Sequence, residues 1–428
     1  MTFLDQPSSF ANIETNISKS FADAFSVERI DSISKYDAFA WSWDQIQDNY
    51  SFRHVLLDRR WVSAWWNVFG QRKDLHTLLV REGSEMRAIV PMILSRGWEA
   101  WPSRDGPYQI TDDHANLDIP KWRRIVPVRR VTFPLNIPSQ NARAHALLNG
   151  DPTPVCGAIT RYWSNRASEW DVMVLEGLPI ESGQREAFTE AAMGEGFSVL
   201  PAGRVRVMYR ADLNGGFDAY LARRSSHFRK RRRQHIARCR SAGDLTLISF
   251  RGSNIRRGLN ILFEVERHTW KANPDGSVRV RVPLNDELRR FLTEVSVAFA
   301  SSDDAVIHVM CLNGNPVGAI MGLSRQHVML SLLIYLRDDV RSSINTTPLM
   351  DALIQDAISH GMVELDINGV TEFARKWATH EEKYQRLYIF NRHPRAQLLR
   401  ISKSLVTNLS QLSRSIEQDQ NGDDYGSP

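Results

Sequence analysis

The stretch from Ala305 to Ile367 limits the possible folds of this 428-residue chain more than any other part. It holds three runs rich in β-branched and apolar residues, at 305–312, 316–323 and 328–336. Asn313 and Gly314 separate the first two runs, and this pair is the strongest short-range signal for a β-hairpin. Residues 346–348 read Thr-Thr-Pro, which is typical of a helix start, and residues 362–367 return as a strand. The order predicts a meander of antiparallel strands, followed by a helix and a strand beside the meander.

An earlier part of the chain repeats this plan. Apolar runs at 75–80 and 86–94 flank a polar turn, and residues 61–69 place tryptophans at helical spacing before them. Residues 288–299 stand in the same position before the later hairpin. We therefore predict an α/β (α+β) fold of two tandem units, each with a mostly antiparallel central sheet flanked by helices. The predicted segments are a flexible leader at 1–35, a first unit at 36–210, a second unit at 211–400, and a helix with a disordered acidic tail at 401–428.

The composition argues against several classes of protein. A hydrophobic content of 42% with 24% charged residues is ordinary for a globular protein, and a net charge of +5 does not demand a nucleic acid partner. Cys156, Cys239 and Cys311 lack metal-ligand spacing, so the sequence predicts no metal and a reducing compartment. The longest apolar run is far shorter than the roughly 20 residues of a membrane span. We therefore expect a cytoplasmic protein without a membrane span.

An ordered set of residues lies on and around these elements: Trp61, Trp65, Trp66, Gly70, Val80, Pro91, Ser225, Ser226, Arg229, Arg233, Gly243, Trp270, Pro348, Gly361, Asp366, Gly369, Phe373 and Trp377. Through this set the chain resembles the CelD-like tandem GNAT acetyltransferases, which are associated with cellulose and exopolysaccharide biosynthesis. It is also similar in layout to the FemAB peptidoglycan aminoacyltransferases. The resemblance covers residues 40–395.

The resemblance implies an acyltransferase that uses acetyl-CoA as its co-substrate. The acceptor would be a small molecule, a sugar or an amine that could be nucleotide-linked, from a cell-envelope or exopolysaccharide precursor. It would attack the thioester directly, helped by a general base and without a covalent enzyme intermediate. We expect the second unit to be catalytic and the first to be degenerate, because only the second keeps the strand–helix–strand order clearly.

The predicted cofactor site lies at the start of the helix that follows the third strand. Free N–H groups and the positive end of the helix dipole make a helix N-terminus an anion site. Arg337 and Arg341 could contact the phosphates of coenzyme A, and Thr346 and Thr347 could donate hydroxyl hydrogen bonds. The alternative is that either threonine is only the cap that any helix requires.

The predicted catalytic residues lie on the last core strand and shortly after it. Alternation places Glu364 and Asp366 on one face, where a carboxylate could accept the proton of the acceptor. Asp366 could instead cap the Asn368-Gly369 turn. The family carries a lysine where this chain has Ala374, and Lys376 could replace it, although a surface lysine is the commoner outcome.

A basic run from Arg223 to Arg240 holds nine lysines and arginines in eighteen residues. We predict that Arg229 and Arg233 face a cleft between the units and bind a small phosphorylated ligand, with Trp270 stacking on a sugar. We expect no long nucleic acid as a partner, because such binders more often spread their basic surface. The alternatives are a solvated basic helix and a tryptophan that belongs to the core.

Two rival functions stay open because the chain departs from the family pattern. It lacks the Gly-rich turn that GNAT enzymes present to the pyrophosphate, and Pro348 is followed by Leu349 where the family has glycine. One rival is a non-catalytic tandem GNAT module that binds a partner or an anionic surface. The other is a FemAB-like transferase that uses aminoacyl-tRNA, which the basic run would suit.

Overall fold

The computed structural model describes residues 24–52, 54–71, 73–100, 124–134, 146–269, 286–369, 371–401 and 404. Its strands are β1 Phe25–Ile30, β2 Asp74–Glu82, β3 Glu85–Ala100, β4 Arg124–Thr132, β5 Leu147–Leu148, β6 Val172–Pro179, β7 Ser198–Asp212, β8 Leu245–Phe250, β9 Ala305–Leu312, β10 Asn315–Arg325, β11 Val328–Leu336, β12 Glu364–Asp366 and β13 His380–Phe390. Its helices are α1 Ala40–Asn49, α2 Arg59–Phe69, α3 Pro152–Ser164, α4 Gln184–Gly194, α5 Gly216–Ala222, α6 Ser226–Ser241, α7 Ile255–Arg267, α8 Asp286–Ala300, α9 Thr347–Ser359 and α10 Glu372–Trp377.

The described strands form one continuous sheet in the order β1-β2-β3-β4-β6-β13-β7-β12-β11-β10-β9-β8, with β5 beside β3. Every pair is antiparallel except β4 with β6 and β11 with β12. The hairpin predicted around Asn313 and Gly314 is present, because β9 and β10 pair directly. The predicted fold class is confirmed: the sheet is mostly antiparallel, and helices flank it.

An exchange of strands joins the two halves of the sheet, which the sequence pattern did not predict. β13, the last described strand of the chain, lies between β6 of the first unit and β7. β7 in turn lies between β13 and β12 of the second unit. The boundary at residue 210, which remains a prediction, falls inside β7. Each half therefore depends on a strand that the other half contributes.

The predicted leader needs one correction. Residues 25–30 form β1 and pair along their length with β2. Phe25 and Val27 pack against the core, and the Arg29 guanidinium donates a hydrogen bond to the Leu75 carbonyl. These contacts satisfy the backbone and bury apolar surface, so this part is not a flexible leader. Residues 1–23 of the leader and 405–428 of the tail lie outside the described residues.

The helices of the two units pack on a common core. Trp61 of α2 meets Phe291 of α8 edge-on, with ring centroids 5.0 Å apart. One cluster of buried apolar side chains contains both residues and extends through both units. A second cluster lies under α9 in the second unit. Within the described residues, no helix is both long and apolar enough to cross a membrane.

Gly322 of β10 allows α9 to approach the sheet closely. A Cβ atom there would lie 2.6 Å from Leu353 Cδ1 of α9 and 2.7 Å from Met329 Sδ of β11. We expect Gly322→Ala to lower the free energy of unfolding by about 1–3 kcal/mol, because both neighbours would have to shift. Chemical denaturation measures the change. Gly157→Ala in α3 is the control, because its Cβ would meet nothing within 4 Å; it should stabilise by about 0.5–1 kcal/mol. Equal changes in the two variants would contradict the close approach.

Candidate functional site

The parallel strands β11 and β12 pair over a short length and then separate. Their paired positions run from Val328 with Glu364 to Leu330 with Asp366. β11 carries a bulge at Leu332, because its register with β10 shifts there. β12 ends at Asp366, while β11 continues to Leu336. A bulge bends its strand and interrupts pairing. We call the resulting gap, between residues 333–336 and the chain that follows Asp366, the fork.

Asn368 closes the lower end of the fork. Its side-chain amide donates to the Leu332 carbonyl at 3.4 Å, and its backbone has a φ of 51°, which turns the chain away from β11. Asn is one of the few residues that adopt this left-handed conformation readily. In the described part of the chain, the pairing of β11 with β12 therefore runs only from Val328 to Leu330.

Asp366 lies at this lower end and is only 2% exposed. Its Oδ1 accepts the backbone N–H of Asn368 at 2.8 Å. The turn-capping role that the sequence left open is therefore present in the structure. A catalytic role for Asp366 remains a prediction, and its burial means that an acceptor could reach it only if neighbouring side chains moved.

His54, a residue of the first unit, lies against Asp366. Its Nδ1 accepts the backbone N–H of Leu56 at 3.0 Å, so a neutral imidazole carries its hydrogen on Nε2. That Nε2 lies 3.9 Å from Asp366 Oδ2. Sequence reasoning missed this contact, because a single histidine 312 positions away carries no local signal. The first unit thus contributes a side chain to the fork of the second.

Arg210 of β7 is the buried cation of the site and is 1% exposed. It donates to Glu364 Oε2 at 2.6 Å and forms an ion pair with Glu382 of β13 at 2.9 Å. Burial opposes the charge of Arg210, but Tyr384 and the three surrounding carboxylates, Asp366 among them, raise its pKa well above the usual value. Arg210 therefore stays charged and links β12, β7 and β13.

Glu364 and His380 form the part of the site that solvent reaches. His380 Nε2 lies 2.9 Å from Glu364 Oε1, and the two side chains are 45% and 20% exposed. Burial raises the pKa of Glu364, but the hydrogen bond with His380 and the charge of Arg210 outweigh burial and lower it. The hydrogen bond with Glu364 in turn raises the pKa of His380. An exposed imidazole held by an ionised carboxylate can accept and release a proton.

No described contact joins Lys376 to Glu364 or Asp366. It lies on the exposed side of α10, and its backbone carbonyl accepts a hydrogen bond from Arg224 at 2.8 Å. Burial lowers the pKa of His235, and the charges of Arg231, Arg238 and Lys376 lower it further. Lys376 thus contributes to a positive region beside α6, and its catalytic role remains a prediction.

Two arginines and a capping asparagine lie at the start of α9. Arg337 pairs with Asp339 at 2.7 Å, and Arg341 pairs with Asp338 at 2.6 Å. The side chain of Thr346 forms no cap. Asn345, which the sequence analysis did not consider, accepts the Thr347 N–H at 2.9 Å. A phosphate here would displace surface ion pairs, and this costs little because each contributes about 0–1 kcal/mol.

The basic helix α6 reaches the same loop. His235 Nδ1 lies 3.2 Å from Thr347 Oγ1, and Arg238 donates to the Ser342 carbonyl. Arg229 donates to carbonyls at the end of α5, and Arg233 is exposed. These contacts lie within the second unit, so they do not support a position between the units; phosphate binding by Arg229 and Arg233 remains a prediction. Trp270 lies outside the described residues.

Within the described residues, no group of three or more His, Cys, Asp and Glu side chains is arranged to hold a metal ion. The carboxylates of the site are instead satisfied by Arg210, His380 and backbone N–H groups. The arrangement is suited to binding an anion and moving a proton.

Comparison with known proteins relates the second unit to a known domain family. Residues 226–386 match the family described as the acetyltransferase (GNAT) domain. The chain is similar in fold to FemX, with 10% identity over 87% of this chain and 99% of FemX and a TM-score of 0.55. It is also similar to a tandem GNAT protein from the clavulanic acid biosynthesis pathway (11% identity, 86% of this chain and 99% of that chain, TM-score 0.44). L-PGS from Bacillus licheniformis is a further similar structure (12% identity, 81% and 91%, TM-score 0.42).

No curated protein sequence matches the chain. The matched domain and the likeness to FemX confirm the GNAT fold predicted from the sequence. The narrower resemblance to CelD-like enzymes remains a prediction.

Proposed function

We propose that this chain is an acyltransferase in which an acyl-CoA, most simply acetyl-CoA, binds in the fork of the second unit. The fork is the observation that carries the proposal. It combines the end of the pairing between β11 and β12 at Leu330 and Asp366, an arginine-bearing loop at the start of α9, and the carboxylates of β12. These are the three features that an extended, phosphorylated thioester donor and its acceptor require.

The strand edge suits the pantetheine arm of coenzyme A. That arm is extended and contains two amide groups, so it can pair with backbone N–H and C=O groups as an added strand would. Leu333 and Ile334 of β11 are partly exposed, which leaves apolar surface for the arm. The loop with Arg337 and Arg341 follows directly at the end of β11, where the phosphates would lie.

The acceptor in this proposal is a small amine or hydroxyl compound of a cell-envelope or exopolysaccharide precursor. Its nucleophile attacks the thioester carbonyl directly, and the polar groups on β12 and β13 take up the proton. No covalent enzyme intermediate is required. Glu364 and Asp366 both belong to this polar region, although only Glu364 is reached by solvent.

Calorimetric titration with acetyl-CoA and with free CoA tests the donor site. We expect the wild-type protein to bind both, and Arg341→Glu to weaken binding at least about tenfold, because a charge-assisted hydrogen bond contributes roughly 1.5–3 kcal/mol. Arg290→Glu is the matched control, because Arg290 also forms an exposed ion pair, with Glu294 of α8 at 3.0 Å. A wild-type protein that binds neither ligand would refute the proposed donor. Equal affinities in the two variants would refute the phosphate site.

An aminoacyl-tRNA-dependent transfer is the second candidate function. The observation that favours it is the row of exposed basic side chains on α6, including Arg231 and Arg233. Binding of tRNA across a salt series separates the two candidates. A log–log slope near about −6 or steeper, with tight binding at physiological salt, would indicate about seven or more phosphate contacts and favour tRNA. Binding of neither acyl-CoA nor tRNA would count against both donors and favour the non-catalytic module.

A further inference from the structure

We propose that His380 is the general base of the acyl transfer and that Glu364 is the residue that positions it. This inference rests on the proposed function and names the group that touches the acceptor. It departs from the sequence analysis, which assigned the base to a carboxylate. Thr379 directly precedes β13 and His380 begins it, and nothing in the local pattern marks either residue as functional.

The hydrogen bonds define the form of the His380 ring. Glu364 is ionised and can only accept, so the neutral imidazole carries its hydrogen on Nε2, 2.9 Å from Glu364 Oε1. Its Nδ1 is then the basic nitrogen. Thr379 Oγ1 lies 3.1 Å from Nδ1 and accepts the Asp212 N–H at 2.8 Å. Its own hydrogen can point at Nδ1 or at the Arg210 carbonyl, 3.4 Å away, and it can turn to that carbonyl when an acceptor takes its place at Nδ1. A hydroxyl group in contact with Nδ1 shows the geometry that an acceptor hydroxyl would adopt.

Three strands fix this pair in place. Arg210 of β7 holds the second oxygen of Glu364 at 2.6 Å and is itself held by Glu382 of β13 at 2.9 Å. Glu364 lies on β12, and His380 is the first residue of β13. Because β13 and β7 are the exchanged strands, the pair exists only when both halves of the sheet are assembled.

Charges from each of these strands act on His380. Glu364 of β12 and Glu382 of β13 favour its protonated form, whereas Arg210 of β7 and partial burial oppose it. The net effect raises the pKa of His380 above 6.5. When the pKa of a base lies near the working pH, a large share of its molecules is neutral and can accept a proton. The base is then also strong enough to take the proton from the acceptor.

The chemical step balances without any further reactant. The acceptor N–H or O–H proton passes to His380 Nδ1, and the electron pair of that bond supports attack on the acyl carbon. The carbon–sulfur bond then breaks, and the sulfur leaves with its electron pair. The proton returns from the imidazolium to the thiolate or to water. The products are the acylated acceptor and free CoA.

The test is the pH dependence of kcat/KM for acyl transfer to a model amine. His380→Gln should lower kcat/KM by about 10²–10⁴-fold, the usual range for loss of a general base. The base works when neutral, so the acidic limb follows the pKa of His380. Glu364→Gln removes the group that raises this pKa, so its acidic limb should move to lower pH while the maximum rate falls. A purely structural role for Glu364 would lower the rate without moving the limb.

Two further measurements make the outcome decisive. The imidazole C–H signal of His380, followed by NMR, should titrate at lower pH in Glu364→Gln than in the wild type, whether or not the protein is active. His360→Gln is the control, because His360 also lies near carboxylates, Asp356 and Asp303, but directly after the end of α9. This variant should keep the wild-type rate. If the wild type binds and uses acetyl-CoA but His380→Gln keeps full activity, or if the NMR titration does not move, the assignment is wrong. If the wild type transfers no acyl group, the proposed function fails and this inference fails with it.

Discussion

The variant Arg210→Met is expected to lower the free energy of unfolding by about 3–5 kcal/mol, because the buried Asp366 and the partly buried Glu364 and Glu382 lose their nearby cation. Arg210 forms ion pairs with Glu364 at 2.6 Å and Glu382 at 2.9 Å. Urea unfolding followed by circular dichroism measures the change. Arg375→Met is the matched control: its exposed ion pair with Glu372, at 2.7 Å, should contribute less than about 1 kcal/mol.

The destabilisation by Arg210→Met should depend on pH in a defined direction. The pKa of Glu364 in the folded protein is lowered from 4.5, against the effect of burial, by His380 and Arg210. A group with a lowered pKa stabilises the fold above its unfolded pKa and loses that contribution as the pH falls through its folded pKa. The difference between wild type and variant should therefore be largest near neutral pH and shrink below pH 4.5. A constant difference over this range would contradict the role of the ion pairs.

The variant Trp61→Ala is expected to lower the free energy of unfolding by about 3–5 kcal/mol, because it opens a cavity in the core shared by both units. Trp61 is buried and packs edge-on against Phe291 at 5.0 Å. Trp41→Ala is the matched control, because Trp41 is 74% exposed and removal of its side chain leaves no cavity. Its effect should stay within about 0.5 kcal/mol. Chemical denaturation measures both variants, and similar values for the two would show that α2 and α8 do not stabilise each other.

The exchange of strands gives the first unit a role in the function proposed for the second. The degenerate character of the first unit remains a prediction. Its contribution to the site is nevertheless direct, since His54 lies against Asp366 and β7 supplies Arg210. We expect neither unit alone to assemble the fork, because β7 and β13 complete each other's sheets.

Local patterns predicted the elements that depend on nearby residues. The hairpins at β2–β3 and β9–β10 follow from short turns between β-rich runs, and the bounds of α2 and α9 follow from apolar spacing and helix-start residues. The turn-capping role of Asp366 was likewise open from the sequence, because cap and turn lie two residues apart. Such features need only contacts between neighbours in the chain.

The composition of the site required contacts that no local pattern encodes. Arg210 lies 154 residues before its partner Glu364, and His54 lies 312 residues before Asp366. His380 lies 16 residues after its partner Glu364. A buried arginine cannot be distinguished from an exposed one by its neighbours in sequence, because its burial depends on carboxylates from other strands.

What the sequence determined by itself is therefore the repeated hairpin, helix and strand plan, and with it the mostly antiparallel sheet flanked by helices. Only the tertiary structure decided that the two sheets are one, that β7 and β13 are exchanged, and that Glu364 holds an exposed histidine. The physical reason is that strand order and ion pairing depend on which strand edges and which charges meet in the folded chain. The alternation of apolar residues shows which face of a strand is buried, but it does not show which strand pairs with it.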